Sequence, residues 1–132
     1  MHVQFKTALA ALVVASAPLL LGAEPQGSLG EPLSAKEVRK AEKNARTSED
    51  HLRLAAWYQL QARQAQNKLS QEEDLIAYYW AQKPEMVTRT KIPNPYWNAQ
   101  ALARTYREEF DRATKLAAAH RKMAESLEAS AG

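Results

Sequence analysis

The chain has 132 residues, with 18 basic against 15 acidic side chains, four glycines and no cysteine. That length supplies one domain, and the lack of cysteine excludes a disulfide framework, a thiol nucleophile, a cysteine-ligated metal and covalently attached haem. Charges of both signs are interspersed with no long basic run, which argues against a nucleic-acid partner.

The first predicted element is a secretory signal over residues 1–23. Met1 to Thr7 carry Lys6 and no acid, and Ala8 to Leu21 form a single apolar run. A helix needs about 20 such residues to cross a bilayer core, more than this run provides. A charged start, a short apolar stretch and small residues at its end are the layout of an export signal. Pro18 disfavours cutting after Ala15-Ser16-Ala17, so cleavage is expected after Ala23. The mature chain is then periplasmic or secreted, has no transmembrane segment and keeps 17 basic and 15 acidic side chains. Residues 24–33, with Pro25, Gly27, Gly30 and Pro32, read as a flexible leader, and residues 34–132 as one helical domain.

Ser34-Ala35-Lys36-Glu37 fits a capping box, in which the serine and the glutamate satisfy each other's backbone donors. A short helix over about 35–45 follows. Val38 is its only large apolar residue, so it is expected to lie loosely against the rest. Thr47-Ser48-Glu49-Asp50 opens a second helix, its acids suiting the positive end of the helix dipole. No proline or glycine interrupts the chain until Pro84. His51, Leu54, Ala55, Tyr58, Ala62, Ala65, Leu69, Ile76 and Tyr79 recur by threes and fours, the spacing of an amphipathic helix over 48–82. Lys83 to Pro95 holds Pro84, Pro93 and Pro95 and reads as the connection. Asn94-Pro95 then supplies a cap and a first-turn proline for a helix over about 95–128. Its stripe is Leu102, Tyr106, Phe110, Ala113, Leu116, Ala117, His120, Met123 and Leu127.

The predicted fold class is all-α. Two long helices of matched length, joined by a short connection, pack as an antiparallel hairpin carrying a short N-terminal helix. The pattern [Leu/Ile/Met]-Ala-x-x-[Tyr/Trp/Leu] occurs four times, at Leu54-Ala55-Tyr58, Ile76-Ala77-Trp80, Leu102-Ala103-Tyr106 and Met123-Ala124-Leu127. Such a repeat suggests that the long helices are duplicates of one another. Trp57, Leu60, Leu75, Tyr78 and Leu116 widen the apolar surface beyond one seam. Either the short helix or a second copy of the chain, completing a four-helix bundle, is expected to cover it.

Few residues are candidates for chemistry. His51 begins one long helix and His120 ends the other, so antiparallel packing brings them together. Met123 lies three residues from His120, on the same helix face. Imidazole with thioether suits a soft, copper-type metal, although semi-buried packing residues would look the same. Residues four places after each histidine are Ala55 and Ala124, and three before are Ser48 and Ala117. Neither the two-histidine metalloprotease motif nor the Glu-x-x-His pair of di-iron bundles is therefore present. Glu72-Glu73-Asp74 and Glu108-Glu109-Asp111 read as solvated faces paired with bases such as Arg104, Arg112 and Lys115. No nucleophile elbow or glycine-rich loop occurs, and neither an enzyme nor a cofactor is expected. Tyr78, Tyr79 and Trp80 end one long helix and Tyr96 and Trp97 begin the next. These five rings should meet at the hairpin tip, either closing the bundle or offering a stacking platform or interfacial anchor.

The segments His51-Leu52-Arg53-Leu54-Ala55-Ala56-Trp57-Tyr58 and Ala118-Ala119-His120-Arg121-Lys122-Met123-Ala124 resemble small exported helical proteins of environmental bacteria. The resemblance covers roughly residues 48–128, and it departs from the His-x-x-[Leu/Met]-Ala pattern where Glu73 and Ala99 replace the histidine. No activity attaches to that family, so the resemblance implies fold and compartment alone. The functional expectation is a non-enzymatic interaction or structural protein whose partner is itself or another helical protein. The alternatives are soft-metal binding through His51, His120 and Met123, and cell-envelope binding through the aromatic tip.

Overall fold

Two stretches free of internal proline and glycine set the architecture. The computed structural model describes Leu33–Gly132, and the expected signal and most of the expected leader lie outside the described residues. The elements are α1 (Ala35–Asn44), α2 (Ser48–Gln82), α3 (Pro84–Thr88) and α4 (Pro95–Ala131). The anticipated capping box at Ser34 forms, and the expected cap at Thr47 also closes as one. Ser34 Oγ accepts from the Glu37 N–H at 3.3 Å, and Thr47 Oγ1 accepts from the Asp50 N–H at 3.1 Å. Each acid returns the bond to the backbone N–H of its cap residue. The connection carries one further turn, α3, which Pro84 opens from its first position, where its missing N–H costs nothing.

Helices α2 and α4 lie antiparallel, each about 50 Å long at 1.5 Å per residue. Contacts between them run in reverse order along the chain. Ser48 donates to Glu128 at 2.8 Å, Arg121 bonds Gln59, Arg107 pairs with Glu73 at 3.0 Å and the Tyr79 ring meets the Tyr96 ring. The seam is made mainly of alanine. Ala55, Ala62 and Ala65 of α2 and Ala99, Ala103, Ala113, Ala117 and Ala124 of α4 are all buried, beside Leu54, Tyr96 and His120. Small side chains let two backbones approach closely, and larger neighbours then splay to the flanks.

That packing corrects the expected stripe at the end of α4. Met123 is 47% exposed and Leu127 37%, whereas Ala124 between them is buried. A close seam has no room for the long side chains, so α4 turns its alanine inward. Of the four alanines in the repeated pattern, Ala55, Ala103 and Ala124 are buried and Ala77 is exposed.

Helix α1 is also docked more firmly than its charge suggested. Val38 is only 3% exposed and forms a core cluster with Ala45 and Leu54, against which Leu33, Ala41, Trp57 and Tyr58 pack. The Trp57 indole donates to the Leu33 carbonyl at 2.9 Å, and the Tyr58 hydroxyl bonds Glu42. Leu33 therefore belongs to the folded domain rather than to a leader. One small helix thus covers the half of the flank nearest the α1–α2 turn, including Trp57. Leu60, Leu75 and Tyr78 remain exposed beyond it.

Candidate functional site

The antiparallel seam gathers the chemically distinctive side chains at the two ends of the hairpin. At the end where α2 starts and α4 finishes, the first turns of α2 carry His51 and Tyr58 while the last turns of α4 carry His120. The seam brings the two imidazoles together, with Nδ1 of His51 3.0 Å from Nδ1 of His120. Their ring centroids are 5.3 Å apart and their planes 26° from coplanar. The centroid separation exceeds the nitrogen separation by about two ring radii, so the nitrogens face each other along the line joining the rings. Such a pair shares one proton, one nitrogen donating and the other accepting. A second proton would set two donors face to face.

The His120 ring also lies nearly parallel to the Tyr58 ring, at 6° and 5.7 Å, and Trp57 meets Tyr58 edge-on at 4.9 Å. Burial, and then the neighbouring His51, hold the His120 pKa below the usual histidine range, against the opposing pull of Glu42. Burial first, and the bond to Glu42 second, push the Tyr58 hydroxyl up to about 12. Both rings are therefore neutral near pH 7. Met123 does not join this line of rings. It lies on the surface with His51, Ala119, Lys122 and Arg46 around a cleft of about 600 Å³. Among the described residues, no three histidine, cysteine, aspartate or glutamate side chains are gathered as a metal ion would need.

At the opposite end the five expected aromatic residues meet. Tyr96 is the anchor, buried to 4% exposure, and Tyr79, Trp80 and Trp97 each meet its ring edge-on. Tyr78 joins through Tyr79. Tyr78, Trp80 and Trp97 are each about half exposed. The platform is braced by Asn94. Its Oδ1 accepts from the Tyr96 N–H at 3.0 Å, while its Nδ2 donates to the carbonyls of Met86 at 2.8 Å and Arg89 at 2.7 Å. The Trp97 indole adds a bond to the Arg89 carbonyl at 3.2 Å, and Gln100 donates to the Tyr96 hydroxyl at 3.0 Å. No such bond holds the Trp80 indole N–H or the Tyr78 hydroxyl. Ile92, in the connection between the two long helices, is 93% exposed.

Sequence reasoning identified all five rings and read Asn94 as the α4 cap. It missed the use of the Asn94 amide to fasten the connection, because that depends on the carbonyls of Met86 in α3 and of Arg89 just after it turning toward Asn94. It also missed Tyr58 and Glu42 as neighbours of the histidines, which required α1 to be docked.

No protein-family model, curated protein or solved structure matches the chain.

Proposed function

We propose that this chain is a non-enzymatic interaction protein, exported from the cell, that attaches to an anionic lipid surface of the cell envelope through the aromatic tip. The observation that carries this reading is the half-exposed Tyr78, Trp80 and Trp97 fixed on a buried Tyr96. Rings with an apolar body and a free polar edge settle at a lipid–water boundary. The charge around them suits an anionic surface. Lys83, Arg89 and Lys91 lie in the connection, and Glu85 is the sole acid between Leu75 and Ala101. Each basic side chain near an anionic bilayer contributes about 1 kcal/mol. No helix among the described residues is long and apolar enough to cross a membrane.

The test is co-sedimentation with phosphatidylglycerol vesicles, with phosphatidylcholine vesicles and peptidoglycan alongside. The reading expects binding to the anionic vesicles, weakened at least about tenfold when Trp80 and Trp97 are both replaced by Ala. Equal binding by wild type and variant, or sedimentation with peptidoglycan alone, contradicts it. A second reading follows from Leu60 and Leu75, exposed on α2 beyond the cover of α1. These would seat another helix, either a second copy or a different protein. Light scattering giving twice the chain mass, reduced to one by Leu75→Ser, would support it.

A further inference from the structure

We propose that His51 and His120 form a two-coordinate site for a soft monovalent cation, of the Cu(I) or Ag(I) class, held between their Nδ1 atoms. The proposal concerns the other end of the hairpin and does not depend on the tip reading.

Three observations carry it. The first is direction. The two nitrogens face each other in line, 3.0 Å apart, which is the arrangement of a linear nitrogen–metal–nitrogen unit rather than an edge of a tetrahedron. Metal–imidazole bonds of about 2 Å place the nitrogens of such a unit about 4 Å apart, so the rings must part by about 1 Å. The second is room for that movement. His120 is buried and packed parallel to the Tyr58 ring, whereas His51 is partly exposed and borders the cleft of about 600 Å³. His51 can therefore retreat while His120 stays fixed. The third is what the surroundings lack. Among the described residues, no third histidine, cysteine or carboxylate joins the pair in a metal-sized group, so a metal demanding four strong ligands is poorly served. Arg46 and Lys122 border the same cleft, and their charge repels a divalent ion twice as strongly as a monovalent one. Soft cations with a filled d shell accept nitrogen and thioether donors. Met123, on the cleft wall, is placed to shield the ion and is not required as a ligand.

The proton balance is simple. In the metal-free pair one ring carries its proton on Nδ1 and donates to the other. On binding, that ring takes a proton at Nε2 and gives up the one at Nδ1. Both Nδ1 lone pairs then face the ion, and no proton is lost overall.

The experiment is titration of the full chain with Ag(I), the redox-inert member of the class, in chloride-free buffer, with Zn(II) as comparison. The proposal expects one Ag(I) per chain, bound more tightly than Zn(II). His51→Ala and His120→Ala should each weaken that binding beyond the about 10–100-fold cost of losing an outer partner, while Met123→Leu should change it less than about threefold. Because either alanine variant could unfold the end of the hairpin, the wild type is also followed by nitrogen NMR. The Nδ1 resonances of both His51 and His120 should move on adding Ag(I). The proposal is overturned if neither resonance moves, if Zn(II) binds more tightly, or if Met123→Leu alone abolishes binding.

Discussion

Single side chains fix where the helices begin, and Asp50 shows how charge enters that role. Its carboxylate receives the backbone N–H of Arg46 at 2.9 Å and of Thr47 at 3.0 Å. These bonds, the Arg46 one first, hold its pKa below the ordinary aspartate value. A carboxyl group depressed in the folded state contributes stability that is complete above its unfolded pKa, about 3.9. The contribution is lost as the pH falls through the folded value. Asp50→Asn keeps an acceptor oxygen and removes the charge. Its melting temperature should lie below that of the wild type at pH 7, with the gap closing as the pH approaches 2. A gap that is constant with pH would mean that the charge plays no part. The Thr-Ser-Glu-Asp run made this cap readable directly from the sequence. The His51–His120 contact was only half readable: helix periodicity placed both residues on the seam, but a nitrogen separation of 3.0 Å depends on the relative sliding of two rods.

At the scale of elements, existence and boundaries were legible because Pro84, Pro93 and Pro95 interrupt otherwise continuous patterns. The expected 48–82 and 95–128 become Ser48–Gln82 and Pro95–Ala131. The facing of α4 was less legible. Periodicity ranks Leu and Met above Ala as core residues, yet a close antiparallel approach selects the smallest side chain on each turn. Ala124 is accordingly buried while Met123 and Leu127 are exposed. The short α1 was misjudged for a related reason: one valine was counted, but not the Leu33 and Ala41 that pack with it beside Trp57. The seam makes a direct prediction. Ala117 is 1% exposed, and enlarging a well-packed site typically costs about 1–3 kcal/mol. Ala117→Leu should therefore lower the melting temperature by roughly 4–8 °C per kcal/mol in a domain of this size. Ala118→Leu, on the exposed face, should stay within about 0.5 kcal/mol of wild type. Equal melting temperatures for the two variants would show that the helices do not meet closely at that position.

At the scale of the whole molecule, an antiparallel hairpin separates its ends by the length of a long helix and gives them different characters. One end bears the histidine pair, with α1 packed beside it, and the other is aromatic and basic, with its rings open. Both proposed roles inherit their geometry from the reversal of direction between α2 and α4. The reversal itself was legible from matched helix lengths and a short connection, whereas the closeness of the seam was not. The absence of cysteine makes the reversal measurable, because two introduced thiols are the only ones present. Ser48 and Glu128 are joined by a 2.8 Å hydrogen bond between their side chains, whereas Asn98 lies at the start of α4. Treating the Ser48→Cys, Glu128→Cys double variant with a short bis-maleimide should link the two thiols within one chain, leaving its mass that of a monomer. The Ser48→Cys, Asn98→Cys pair should not be linked within a chain. The reverse pattern, or links formed only between chains, would contradict the antiparallel hairpin and both sites built on it.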